Sequence, residues 1–519
     1  MGKNLTLEEK VGQLMMFGFR EQNVPEYIKE FILHHNLGGI VHFSRNIVDP
    51  EQIKAVNDEL QDLAQQSPSG TDLLISLDQE GGSVARLTKG VSVSPGNMAL
   101  GATRNPQLVE EASAIVAEEL RAVGFNVNLA PCVDVNNNGL NPVIGVRSYG
   151  SDPQLVGELG VAAIKGLQRH LLAVAKHFPG HGDTNVDSHL NMPIINHDWE
   201  RLSTVELPPF EQAINAGVGA ILAAHVLFPA LESNPRLPAT LSHNVLTKLL
   251  REQLGYEGLI FTDCMEMEAI TKQYPMGEAA VLAIEAGVDM VLVSHTPERQ
   301  AEAYWAVVDA VKSGRISRER IDQSYARIKK AKEALAVTKD LPRTIGNRAH
   351  REVMEQIVRE SLTVVQDRGN LPLTQENLVV IETRAQATSI AEEKISDAQG
   401  LGETLRKAGF KVQGAKVGLT CSAEEKSRLV ELATNQPLVI IVSQDAHRYE
   451  GQSELIQEVI EVAQEVIVIG ARTPYELNSF PQVPTYVAAY SNRSVVWGPL
   501  VELLTGKIQA QGKLPVSLA

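Results

Sequence analysis

Leu171–Asn191 reads LLAVAKHFPGHGDTNVDSHLN: the apolar run Ala173–Ala175 stops at a loop that carries Lys176, three histidines and two aspartates. Gly258–Asp263, GLIFTD, repeats the arrangement, with Leu259–Phe261 apolar and a carboxylate at the end. A short run without polar alternation is a strand buried on both faces, and titratable side chains gathered where it ends mark that end as the working one.

Outward from these two, Gly39–Phe43, Leu73–Leu77, Val127–Ala130, Ala220–Ala224 and Met290–Val293 are runs of the same kind. Between them lie helix-like patterns such as Leu108–Val123 and Leu155–Gln168. Such alternation predicts βα units on a parallel sheet. A closed barrel and a doubly wound sheet both satisfy it. Asp78, Asp134, Lys176 with His177, His225, Asp263 and His295 all sit at or just past the end of a run, where barrel enzymes place their chemistry. No Gly-rich phosphate turn follows a first strand, as the doubly wound alternative would want. The expected fold class is therefore α/β: a (β/α)8-type TIM barrel, of which about seven units are legible, followed by a smaller α/β/α sandwich.

The pattern lapses at Val337–Arg351, VTKDLPRTIGNRAHR, then resumes with the apolar runs Leu378–Ile381, Leu438–Val442, Val466–Ile469 and Thr485–Ala489. The expected domains are 1–336, the catalytic barrel; 337–351, a linker; and 352–519, the α/β sandwich. The chain has 519 residues, 44% of them hydrophobic, and a formal charge of -16. That is ample for two cores and unsuited to a nucleic acid or an anionic membrane. MGKNLTLEEK lacks an apolar segment behind its lysines, and three scattered cysteines, Cys132, Cys264 and Cys421, build no disulfide framework. The expected compartment is cytoplasmic.

Two readings of the polar loop stand side by side. His177, His181, Asp183, Asp187 and His189 have the chemistry of divalent-metal ligands, although no H-E-x-x-H helix accompanies them. Alternatively, Asp187 and His189, alternate residues of an extended segment, form an Asp–His acid/base device in which the carboxylate holds the imidazole's tautomer. Asp263 is either a helix cap or a nucleophile facing that device across one substrate. Asp78, Arg86, Arg147, Lys176 and His177 are candidate partners for sugar hydroxyls, Asp78 as acceptor and Lys176 and His177 as donors. Glu80, Gly81 and Gly82 read equally well as turn residues.

The segments LDQEGGSVAR, APCVDVNNNGLNPVIGVRSYG, KHFPGHGDTNVDSH, AAHVLFPAL, GLIFTDCMEMEAI and the terminal GKLPVSL resemble, in order, the blocks of glycoside hydrolase family 3. KHFPGHGDTNVDSH resembles the family's β-N-acetylglucosaminidase branch. The resemblance implies a retaining, exo-acting β-N-acetylglucosaminidase, with Asp263 as nucleophile, His189 as proton donor and Asp187 as its partner. It also implies that Asp78, Arg86, Arg147, Lys176 and His177 bind the sugar. No metal or other cofactor is expected. The expected partner is a small oligosaccharide, chitin-derived or a muropeptide, and a homodimer is compatible with the chain. Ser83, where the family often has Arg, and Asn191-Met192-Pro193, where Leu-Pro is usual, depart from the pattern. A phosphorylase with the same residues, a metal-dependent hydrolase and a catalytically silent sugar-binding protein remain as alternatives.

Overall fold

The computed structural model describes residues 5–184, 187, 191–336, 344–393 and 400–518. Eight parallel strands form one sheet, in the order Val291–Val293, Met15–Phe17, Gly39–Val41, Leu74–Leu77, Val127–Asn128, Leu172–Phe178, Ala220–Ala223, Leu259–Thr262. A parallel bridge between Phe261 and Met290 joins the first of these to the last and closes the barrel. Seven of the strands overlap the apolar runs. The eighth, Met15–Phe17, follows the helix Leu7–Gln13 after a single residue and ends in Gly18 with no polar side chain, so nothing in its sequence separates it from the helix.

The barrel helices start where local chemistry dictates. Asp49, Asn105 and Asp152 each accept a backbone N–H of the first turn, and each is followed by a proline. The cap supplies the missing acceptor, while proline's fixed φ suits the first helical position and its absent N–H costs nothing there.

The second sheet runs Thr363–Gln366, Thr485–Ala488, Val466–Gly470, Val439–Ser443, Asn377–Thr383, Lys411–Val417, parallel except for the antiparallel first strand. Side chains alternate across it, as strand geometry requires. Val379, Ile381, Val439, Ile441, Val466 and Val468 face one core, and that core also takes in Met98, Ala99, Ala102 and Val146 from the barrel half. Leu378, Val380, Ile440, Val442, Ile467 and Ile469 face the other, against Leu401, Leu405 and Leu500. Lys411–Val417 is an edge strand with mostly exposed side chains, and it has no apolar run to read. Residues 337–343 of the expected linker lie outside the described residues. Its end is already helical: Arg348–Ser361 begins at Asn347, whose Oδ1 accepts the N–H of His350 at 2.8 Å.

Candidate active site

A cavity of about 660 Å³ opens at the carboxyl ends of the barrel strands. Six of the expected site residues line it: Asp78, Arg86, Arg147, Lys176, His177 and Asp263. Asp187 is not among the lining residues, and His189 lies outside the described residues.

Asp263 directly follows Leu259–Thr262. Its N–H donates to Ala223 O at 3.2 Å, continuing the sheet, and its Oδ1 accepts the N–H of Cys264 at 2.7 Å. It caps no helix, because the next one, Glu268–Thr271, starts from Met267. His225, at the end of the neighbouring strand, donates from Nε2 to Cys264 O at 3.0 Å. It therefore steadies the backbone on which Asp263 turns.

Asp78 and Glu80 stand opposite, in and beside a tight hairpin built by Gln79–Gly81 and Val84–Ala85. Lys176 Nζ lies 2.6 Å from Asp78 Oδ1 and 2.7 Å from Glu80 Oε1. Arg147 grips Glu80 with both ends of its fork, Nη2 at 2.7 Å and Nε at 2.9 Å. Burial pushes the Glu80 carboxyl up, but Arg147 and Lys176 outweigh it and hold the group down at about 2. Burial opposes ionisation of Asp78 too, and Lys176 and Arg86 keep it well below the usual carboxylate range. Lys176, though buried, is held charged by the same two carboxylates. The wall is thus a set of fixed, alternating charges whose orientation costs nothing at the moment of binding.

In the sequence Glu80 reads equally well as a turn residue. The structure makes it the counter-ion of two pocket cations, and its place in the D-x-E of LDQEGG was the one signal available.

His177 differs from the donor expected of it. Its Nδ1 lies 2.7 Å from Asp134 Oδ2. Although burial would raise Asp134, its neighbours His177 and His181 hold it well below the ordinary range. An ionised carboxylate only accepts, so Nδ1 carries the proton. His177 Nε2 then faces Arg147 Nη2 at 3.4 Å, and in the neutral ring it is an acceptor. Asp134 also accepts the N–H of His181 at 2.7 Å. Burial and the nearby His177 push the His181 imidazole down to about 4.

Of the expected metal-ligand loop, His177 and His181 lie in the pocket wall, while Asp183 pairs outside it with His197 Nε2 at 2.7 Å. Among the described residues, Cys132, Asp134 and His177 are close enough together to share an ion. These atoms already bond to one another: Cys132 Sγ donates to Asp134 Oδ2 at 3.2 Å, and burial pushes the thiol well up, so it keeps its proton. A protonated thiol is a poor ligand.

The second half of the chain also reaches the pocket, through Ile390, Ala391, Glu392 and Glu393. No sequence pattern singled these out.

Residues 6–331 match the Glycosyl hydrolase family 3 N terminal domain. A beta-hexosaminidase A of Pseudoalteromonas piscicida is 30% identical, over 99% of this chain and 97% of its own. A beta-N-acetylglucosaminidase/beta-glucosidase of Cellulomonas fimi is 27% identical, over 98% and 93%. Among solved structures, a family 3 beta-N-acetylglucosaminidase from Paenibacillus sp. str. FPU-7 superposes with a TM-score of 0.95 at 43% identity, over 99% of each chain.

Proposed function

The chain belongs to glycosyl hydrolase family 3 and is a glycoside hydrolase, and from that premise we propose that it is a retaining, exo-acting β-N-acetylglucosaminidase that removes terminal, non-reducing N-acetylglucosamine from small oligosaccharides. The observation that carries this reading is the pocket in which Asp263 shares one cavity with Asp78, Lys176 and His177. A carboxylate at a strand end opposite a preorganised set of hydroxyl partners is what covalent glycoside hydrolysis asks for. The names carried by the relatives above point to the amino sugar.

In the proposed cycle a carboxylate oxygen of Asp263 attacks the anomeric carbon. The bond to the leaving oxygen breaks as His189, partnered by Asp187, gives that oxygen its proton. Neutral His189 then takes a proton from water, whose oxygen attacks the anomeric carbon and releases Asp263 from the ester. Two inversions give net retention. Asp78 accepts from sugar hydroxyls and Lys176 donates, while His177, bonded at Nδ1 to Asp134 and facing Arg147 with Nε2, shapes the wall beside them. Arg147 acts at one remove by holding Glu80 and, through it, Lys176. Chitin-derived oligosaccharides and muropeptides both present the required terminus. No helix among the described residues is long and apolar enough to cross a membrane, and we assign the protein to the cytoplasm on its three free thiols.

The test is a matched pair of aryl β-glycosides, one N-acetylglucosaminide and one glucoside, with the first-formed anomer read by NMR. Faster cleavage of the N-acetylglucosaminide by about a hundredfold or more is expected, since a site built to bond an amide leaves buried groups unpaired without it. Equal rates, or first release of the α-anomer, refute the assignment. Phosphorolysis by the same residues is the rival outcome. Lys176 and Arg147, the cations that would draw phosphate, are already paired with Asp78 and Glu80, so water is the expected acceptor. A dominant yield of sugar 1-phosphate in millimolar phosphate would reverse that.

A further inference from the structure

Five side chains of alternating charge run in contact from the floor of the pocket into the second half of the chain: Glu80, Lys176, Asp78, Arg86 and Glu393. Arg86 is the hinge of this series. Its Nη2 donates to Asp78 Oδ2 at 3.2 Å, while its Nη1 donates to Ala391 O at 2.9 Å and to the Glu393 carboxylate. The guanidinium is thus divided between a barrel carboxylate and a carboxylate 307 residues further along the chain.

The segment that brings Glu393 there is held at both sides. On its own side, Glu392 pairs with Arg472 at 2.6 Å, Arg472 pairs with Asp445 at 2.7 Å, and the N–H of Thr388 donates to Glu392 at 2.7 Å. Toward the barrel, the N–H of Glu393 donates to Ser83 O at 3.0 Å, and beside it Arg493, from the loop after Thr485–Ala488, donates from Nε to Gly82 O at 2.5 Å. Both acceptors lie in the turn of the hairpin that follows Asp78.

A guanidinium offered one carboxylate takes both its oxygens through two parallel N–H bonds, and this forked pairing is the strongest available to it. Asp78 already gives Oδ1 to Lys176. If Arg86 turned both nitrogens onto it, three of the carboxylate's roughly four acceptor sites would be engaged, leaving one for sugar hydroxyls where the present arrangement leaves two. We propose that Glu393 is a positioning residue for sugar binding: by holding one edge of Arg86 it limits that cation to a single contact with Asp78 and keeps the Asp78 carboxylate available to the sugar. The seating of the 388–393 segment and the binding of sugar then reinforce each other, because coupling between two binding events is reciprocal. This rests on the reading of Asp78 as the acceptor of sugar hydroxyls.

The experiment is a double-mutant cycle on the full chain with Glu393→Ala and Asp78→Asn. The readouts are KM and kcat on an aryl N-acetyl-β-glucosaminide with an activated leaving group, and the affinity for free N-acetylglucosamine by calorimetry. Glu393→Ala is expected to raise KM and to weaken N-acetylglucosamine binding roughly five- to fiftyfold, with kcat within about threefold of wild type. Glu393→Gln, which keeps an acceptor for Arg86 Nη1 and the shape of the side chain, should recover part of that loss. In the Asp78→Asn background Glu393→Ala should change nothing further. An unchanged KM in Glu393→Ala, or the same loss in both backgrounds, overturns this proposal and leaves the role of Asp78 standing. Undiminished N-acetylglucosamine binding by Asp78→Asn alone overturns the reading of Asp78, and the proposal with it.

Discussion

The N–H of Cys264 donates to Asp263 Oδ1 at 2.7 Å, so the carboxylate at the end of Leu259–Thr262 is held by the backbone immediately beyond it. That backbone is held in turn by His225 on Cys264 O. As the proposed nucleophile, a carboxylate so restrained loses little entropy in reaching its attack geometry.

Asp263→Asn should fold as wild type and lose roughly 10³- to 10⁶-fold in kcat, because an amide cannot form the glycosyl ester. The amide oxygen still accepts from Cys264, so thermal stability should be little changed. A fluorinated mechanism-based sugar should label the peptide carrying Asp263 in the wild-type enzyme. A label found elsewhere removes the nucleophile assignment.

His189→Ala should lose roughly 10²- to 10⁴-fold on substrates with poor leaving groups and far less on an activated phenol, which departs almost unprotonated. Asp187→Ala should show the same dependence more mildly. If the loss is uniform across leaving groups, His189 binds substrate and does not protonate it.

Dialysis against a chelator should leave activity intact. His177 Nδ1 and Cys132 Sγ both donate to Asp134 Oδ2, so the described residues best placed to hold an ion are engaged with one another, and the proposed cycle takes its nucleophile from Asp263 and its proton from His189 without a Lewis acid. Inactivation that zinc reverses would restore the metal reading of the loop.

Glu476 supplies a pH dependence of stability. Burial pushes its carboxyl up to about 7, against hydrogen bonds from Ser443, Ala446 N–H and Tyr486. Unfolded, the group titrates near 4.5. The folded state therefore binds the extra proton between these values. Stability is undiminished by this group below about pH 4.5, falls as pH rises toward 7, and stays lowered above it. Glu476→Gln should remove that fall, gaining on wild type by on the order of 2 kcal/mol between pH 5 and pH 8. Urea midpoints of both proteins at the two pH values decide it, and parallel curves count against the assignment.

Most of the barrel, and most of its pocket, could be read in the chain itself. Buried parallel strands must be apolar on both faces, so Leu73–Leu77, Ala173–Ala175 and Leu259–Phe261 announce themselves, and Asp78, Lys176 and Asp263 stand out because a polar residue at such an end has no packing reason to be there. Met15–Phe17 merges with the helix before it, and the edge strand Lys411–Val417 buries too little to show a pattern.

The role proposed for His189, which lies outside the described residues, rests on the sequence alone. What only the tertiary structure decided is how the charges are shared. Glu80 looks like a turn residue until Arg147 and Lys176 close on it, 67 and 96 positions away. Arg86 looks like a lone sugar ligand until Glu393 arrives from the loop after Asn377–Thr383. Strand and helix patterns register local periodicity and burial. An ion pair between distant residues leaves no local trace, because either partner by itself is indistinguishable from a solvated surface charge until the fold removes the water from both.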